Sequence, residues 1–147
     1  MKPELRGDAI VQEIAIHAPA TRIFEALTDP AQMVAWWGVE GRFQAEHVES
    51  DFRPSGRWLM RGVGMSGRPF IVRGEYREID RPRVLVFTWL PDWQQDGLET
   101  LIRIELEEIG GVTTVRLTHS GFARDSSRAS HQGWPQLLDR LRAYVEL

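Results

Sequence analysis

The final segment of the chain, Ser127 to Leu147, carries its clearest hydrophobic period. Trp134, Leu138, Leu141 and Val145 recur at spacings of four, three and four, one face of a helix with 3.6 residues per turn. Leu137 and Tyr144 widen the stripe, while Asp139, Arg140, Arg142 and Glu146 face away. Its start is irregular. Ser126 or Ser127 can cap it, but Gly133 and Pro135 are poor interior residues. Either a helix from about Ser127 bends near Gly133–Pro135, or a turn precedes a helix whose first position is Pro135. The bent helix is the preferred reading.

Most of the chain before it alternates with the period of two that marks half-buried strands. Ile10 to His17 is a first strand, with Ile10, Ile14 and Ile16 on one face. A short helix, Ala20 to Leu27, turns Ile23, Phe24 and Leu27 inward. Asp29–Pro30 starts a second: Asp as N-cap, Pro at the first position. It ends at Trp36–Trp37–Gly38, where Gly38 is expected to supply a left-handed cap. Residues 1–8 read as a loose terminus.

From Phe43 to Ser120 the chain reads as a meander. Arg53–Pro54–Ser55–Gly56 is a turn, Arg57 to Val63 a strand and Gly64 to Pro69 a loop. Phe70 to Ile79 and Val84 to Leu90 form a hairpin across Asp80–Arg83. A polar loop, Pro91 to Leu98, carries Trp93. Glu99 to Ile109 and Val112 to Ser120 form a second hairpin, turning at Gly110–Gly111. That turn sets the register: Leu106 faces Val115, Ile104 faces Leu117 and Ile102 faces His119, all apolar but the histidine. The opposite face pairs Glu105 with Arg116 and Glu107 with Thr114. In the other hairpin Tyr76 falls opposite Phe87, and Gly74 opposite Trp89, leaving that indole room across the sheet. A sheet with one apolar face must bury it, and the C-terminal helix is the available cover. The architecture expected is α+β: about seven antiparallel strands around one long helix, as a single domain over residues 1–147.

Composition adds exclusions. The length of 147 residues suits one domain with a sizeable core. No run of 18 apolar residues occurs, so no membrane-spanning helix is expected. The start, MKPELRGD, lacks an apolar signal core, and a cytoplasmic location is expected. Cysteine is absent, which excludes disulfides and thiolate chemistry. A net charge of −3 gives no general attraction to nucleic acid. The 18 basic residues are all Arg except Lys2, and eight of them lie between Arg53 and Arg83. These are either a partner-binding face or solvated residues paired with carboxylates such as Glu105 and Glu107.

The inward positions are rich in rings: Trp58, Phe70, Tyr76, Phe87, Trp89 and Trp134, with Trp36 and Trp37 near. They fill a core or wall an apolar pocket; indole and phenol tips suit a ligand cavity. His17, His47, His119 and His131 show no metal-ligand spacing, so neither metal nor cofactor is expected. His119, inward among aliphatics, is a core histidine or a contact in the pocket. No P-loop, nucleophile elbow or dinucleotide fingerprint is present, and no catalytic residue is assigned.

The segments APATRIFEALTDPAQMVAWWG, DFRPSGRWLMRG, GEYREIDRPRVLVFTW, TTVRLTHSGF and HQGWPQLLDRL together resemble homologues of the heat-shock-protein-90 ATPase activator. These belong to the START and birch-pollen-allergen-like superfamily, the helix-grip fold. The resemblance implies a curved sheet gripping the C-terminal helix, with two short helices after the first strand. It also implies an internal cavity for apolar molecules. Ser55 stands where that family's turn commonly has Gly. The expected pocket is lined by Trp36, Trp58, Met60, Phe70 and Val72, then Tyr76, Phe87, Trp89, Ile104 and Leu117, then His119, Trp134, Leu138 and Leu141. The expected function is binding of an apolar or aromatic small molecule. The alternatives are a cyclase- or hydrolase-like enzyme using His119, His47 or Tyr76, and a chaperone-interaction domain.

Overall fold

The computed structural model describes residues 4–6, 9–39, 41–93, 97–122 and 133–146. In chain order the strands are β1 (Glu4–Arg6), β2 (Ala9–Ile16), β3 (Gly38–Val39), β4 (Phe43–Ser50), β5 (Arg57–Gly64), β6 (Pro69–Asp80), β7 (Val84–Pro91), β8 (Thr100–Ile109) and β9 (Val112–Ser120). Helices α1 (Ala20–Thr28) and α2 (Pro30–Trp36) follow β2, and α3 (Trp134–Val145) ends the chain. All nine strands form one antiparallel sheet, ordered β1-β2-β9-β8-β7-β6-β5-β4-β3. The strand count exceeds the expected seven mainly through two short edge strands. Glu4–Arg6 pairs with Ala9–Val11, where a loose terminus is expected. Gly38–Val39 pairs with Phe43–Gln44.

The β8–β9 hairpin has the expected register, with Ile102 opposite His119, Ile104 opposite Leu117 and Leu106 opposite Val115. Its alternation decides the layering: Ile102, Ile104, Val115 and Leu117 are buried, and the Glu105–Arg116 pair lies on the other face. Strand β2 then lies beside β9, Ile10 opposite His119 and Ile14 opposite Val115. Register breaks between Ala45 and His47 in β4, and between Tyr76 and Glu78 in β6, bend their strands and help curl the sheet.

Helix α2 starts as its sequence dictates: the Asp29 carboxylate accepts from the Ala31 N–H at 3.2 Å, and Pro30 occupies the first turn. Its end differs. Trp37 caps it in an extended conformation and Gly38 has no positive φ. Gly38 serves close approach instead: a Cβ there would lie 2.7 Å from the Phe43 carbonyl oxygen and 2.8 Å from Arg140.

Helix α3 begins at Trp134 with Gly133 as its N-cap residue, so Pro135 sits in the first turn, where a missing N–H leaves no bond unmade. The expected stretch of helix over 127–132 lies outside the described residues, as do Ser126 and His131. Trp134, Leu137, Leu138, Leu141 and Val145 are buried, as the stripe requires. The helix touches α1, α2, β2 and β3. The Arg140 guanidinium donates to Gln44 Oε1 at 3.0 Å, and Gln44 in turn donates to the Val34 carbonyl of α2. One glutamine thus ties β4, α2 and α3 together.

Candidate functional site: an aromatic cavity beside the C-terminal helix

Strands β5, β6 and β7 aim their inward residues at the start of α3. Trp89 is the hub. Its ring lies 6.1 Å from Trp37 in a stacked arrangement, 5.9 Å from Trp58 and 5.6 Å from Trp134. Two glycines make room for these rings. A Cβ on Gly62 would stand 2.6 Å from the Phe70 ring. A Cβ on Gly74 would stand 2.6 Å from Trp58 Nε1, so the indole that uses this glycine's space is Trp58. The register puts Gly74 level with Trp89 on its other side, between the Val72–Pro91 and Tyr76–Phe87 pairs.

Between these rings and α3 lies a cavity of about 240 Å³. Met60, Phe70, Val72, Trp89 and Trp134 line it, five of the residues expected from the sequence. Trp37, Val39, Arg42, Phe43, Trp93, Gly133 and Leu137 complete it. Most of this second group comes from segments that a meander reading leaves as connections. Trp93 is half-exposed and meets the Phe70 ring edge-on at 5.6 Å, which brings its loop to the cavity wall. Trp58, Tyr76, Phe87 and Ile104 instead surround a void of only about 10 Å³ with Trp37 and Met33. That part of the expected pocket is packed core. Trp36, Leu117, His119, Leu138 and Leu141 are buried and line neither space. Trp36 donates its indole N–H to the Ala26 carbonyl at 2.9 Å and anchors α2 on α1.

His119 is held on both sides. The Trp134 indole N–H donates to its Nδ1 at 3.2 Å, and its Nε2 stands 2.7 Å from Thr100 Oγ1. An indole nitrogen can only donate, so Nδ1 is bare and the proton sits on Nε2. The Thr100 hydroxyl accepts that proton's bond and donates to the Trp89 carbonyl at 3.2 Å. This is a bonded neutral histidine that positions two of the cavity's tryptophans.

The other polar candidates stand elsewhere. His47 is exposed and pairs with Glu49 at 2.9 Å. Tyr76 meets the Ser50 hydroxyl at 2.7 Å, and burial pushes its phenol above the ordinary range, an effect the Ser50 bond opposes. His47, His119 and Tyr76 do not share the cavity, so the residues of the enzyme alternative are not brought to one place. Among the described residues no group of three His, Asp or Glu is placed to hold a metal ion. Nor is any described helix long and apolar enough to cross a membrane.

The polar features of the cavity are few. Trp37 and Trp89 line it, but their indole nitrogens are themselves fully buried, like that of Trp58 in the core, and none of the three has a hydrogen-bond partner among the described residues. Arg42 stands where the cavity meets a wider groove of about 920 Å³ along β4 and α3, which also carries Asp139 and Arg140.

The same architecture recurs in solved structures. Protein CV1439 from Chromobacterium violaceum superposes with a TM-score of 0.83 at 25% identity, over 97% of this chain and 99% of that one. A Rhodobacter sphaeroides protein gives 0.81 at 18% identity, over 99% and 94%. Protein NE0264 from Nitrosomonas europaea gives 0.81 at 16% identity, over 97% of each chain. Among curated proteins none matches. The family model described as "Activator of Hsp90 ATPase homolog 1-like protein" matches residues 17–146, from the end of β2 to the end of α3. With the match spanning both short helices, the meander and the gripped helix, the chain belongs to the Activator of Hsp90 ATPase homolog 1-like family.

Proposed function

We propose that the chain binds a flat apolar or aromatic small molecule in the cavity between β5–β7 and the start of α3. The observation that carries this is the cavity itself: about 240 Å³ of space walled by indoles, phenyl rings and aliphatics beside a filled core. Close-packed interiors leave few voids larger than a water molecule. The volume falls just below the usual range of about 300–1,000 Å³ for small-molecule sites, which favours fused aromatic rings over long acyl chains.

Trp37, Trp89 and Trp134 line the space, so their emission reports on its occupancy. Naphthalene-sized probes are expected to change intrinsic fluorescence saturably, with micromolar affinity or about −8 kcal/mol. Leu137→Trp places extra volume in the cavity from α3. It should weaken binding at least about tenfold while the chain stays folded, because an open site accepts volume that a packed core rejects. An absence of saturable binding in the parent, with unfolding by Leu137→Trp, would identify a filled core and remove the reading.

Family membership supports a second reading, docking on a heat-shock-protein-90 chaperone. The face favouring it is the outer side of β5 and β6. There Arg57, Arg61 and Arg73 are exposed and have no ion pair among the described residues.

A further inference from the structure

We infer that Trp93 is the movable outer wall of the cavity, the side chain a ring system must displace to enter and the one that limits its size. The inference rests on the binding reading above and names the entry route and size limit of that site.

Buried Phe87, Trp89 and Pro91 alternate along β7, and the same period of two puts position 93 on the inner face. Pro91 pairs with Val72, and the register runs on past this last pair. The Asp92 N–H donates to the Ile71 carbonyl at 2.9 Å, and the Ile71 N–H donates to the Asp92 carboxylate at 3.0 Å. Trp93 therefore falls opposite Phe70, and the two rings meet edge-on at 5.6 Å. A ring on the inner face of a curved sheet is ordinarily covered. The other five tryptophans are, at 5% exposure or less, whereas Trp93 is 47% exposed. A side chain that lines the cavity and also meets water is the partition between the two.

The rings at this end of the cavity are held to different degrees. Phe70 fills the recess left by Gly62 and meets Phe43 edge-on at 5.6 Å, so it is braced on two sides. Trp93 has Phe70 as its one ring contact among the described residues, and an edge-on pair is a weak restraint. The two bonds of Asp92 fix the backbone from which the indole swings. Opening then needs a rotation of one half-exposed side chain, a fast motion, and no shift of the sheet. The cavity also borders the groove at Arg42 and Phe43, but that approach runs past Gln136, Asp139 and Arg140. An apolar ring arriving there crosses amide and charged groups, whereas at Trp93 it meets an apolar face first.

The test mixes naphthalene and pyrene with the full chain, and with its Trp93→Ala and Trp93→Phe variants, in a stopped-flow fluorimeter. Trp37, Trp89 and Trp134 remain in every variant and report occupancy. Naphthalene association and dissociation are both expected to quicken about tenfold in Trp93→Ala, dissociation the more because the ring's contact with the ligand is lost as well. Trp93→Phe should fall between that variant and the parent. Pyrene, the larger ring system, should bind Trp93→Ala at least about tenfold more tightly than it binds the parent. Saturable naphthalene binding with the same rates and the same preference over pyrene in all three proteins would overturn the assignment and leave the cavity standing. Faster exchange in Arg42→Ala with none in Trp93→Ala would put the mouth at the groove and overturn it too. No saturable binding in the parent would remove the binding reading and this inference together. Trp93 lies half outside the packed interior, so its variants are expected to fold. Should Trp93→Ala not fold, Trp93→Phe against the parent decides the same comparison.

Discussion

Tyr76 shows how much one residue can join. Its N–H donates to the Gly56 carbonyl at 2.9 Å, and its carbonyl accepts from Ser55 at 2.8 Å. Its hydroxyl meets Ser50, and its ring packs edge-on against Phe52 at 5.1 Å. The turn before β5 is therefore clamped to the bulge of β6, with Ser55 held at a φ of 68°. That left-handed conformation explains why glycine suits this position. Burial raises the Tyr76 pKa above its ordinary 10.0. A raised pKa keeps the phenol neutral in the fold while the unfolded chain ionises. Its stabilisation is thus present below about pH 10 and is lost as pH climbs toward the folded value. Tyr76→Phe should cost about 1 kcal/mol near pH 8 through the lost Ser50 bond. It should also flatten the decline in stability above pH 10, read by urea unfolding across that range. Parallel declines in parent and variant would assign the alkaline loss to other groups. At this scale His119 was legible as inward, because hairpin arithmetic decides the face. Its partners were not, since Thr100 and Trp134 are brought to it by other elements.

At the scale of elements, α3 is the most legible piece and the least independent. Its 12 residues are too few for a stable isolated helix, so its stability comes from the buried stripe. Leu141 is fully buried on that stripe. Leu141→Ala should cost about 2–5 kcal/mol by chemical denaturation, and a loss below about 0.5 kcal/mol would place the residue outside the packed interface. The helix start was harder to read. Gly133 and Pro135 break the period, and local rules allow both a bend and a fresh start. In the described residues Pro135 lies within the first turn. Gly38 was misread for a related reason. A glycine after a helix resembles a left-handed cap, but here the crowding comes from Phe43 on the paired strand and from Arg140, remote in sequence and adjacent in space.

Across the whole molecule the charged outer surface divides into paired and unpaired arginines. Arg77 bonds Glu99 at 3.2 Å, and Arg103 lies 3.5 Å from Glu78, contacts that span strands and leave little free charge. Arg61 and Arg73 are exposed without such partners among the described residues, on neighbouring β5 and β6. If this face docks a heat-shock-protein-90 chaperone, Arg61→Glu with Arg73→Glu should abolish co-precipitation with it. Reversal of Arg77, already committed to Glu99, should have a smaller effect. Retention of the chaperone by the double variant would return these arginines to a solvated surface, where exposed ion pairs contribute at most about 1 kcal/mol.

The period-two segments, the Gly110–Gly111 turn and the stripe of α3 are written in neighbouring residues, so a strand-rich chain with one amphipathic C-terminal helix and the β8–β9 register follow from local chemistry, whereas the grip of a curved sheet on that helix was implied by the family resemblance. The two edge strands do not follow from local chemistry, because two or three residues show no period and become a strand only beside a partner. The same division runs through the site. Alternation places Met60, Phe70, Val72 and Trp89 on the inner face, but whether that face is filled or hollow depends on how closely α2, α3 and the sheet approach. Around Tyr76 and Phe87 the layers close; beside Trp89 and Leu137 they stay apart. Volume between elements is a property of their separation, which no single segment encodes, and it was the tertiary packing that drew Arg42, Phe43 and Trp93 to the cavity.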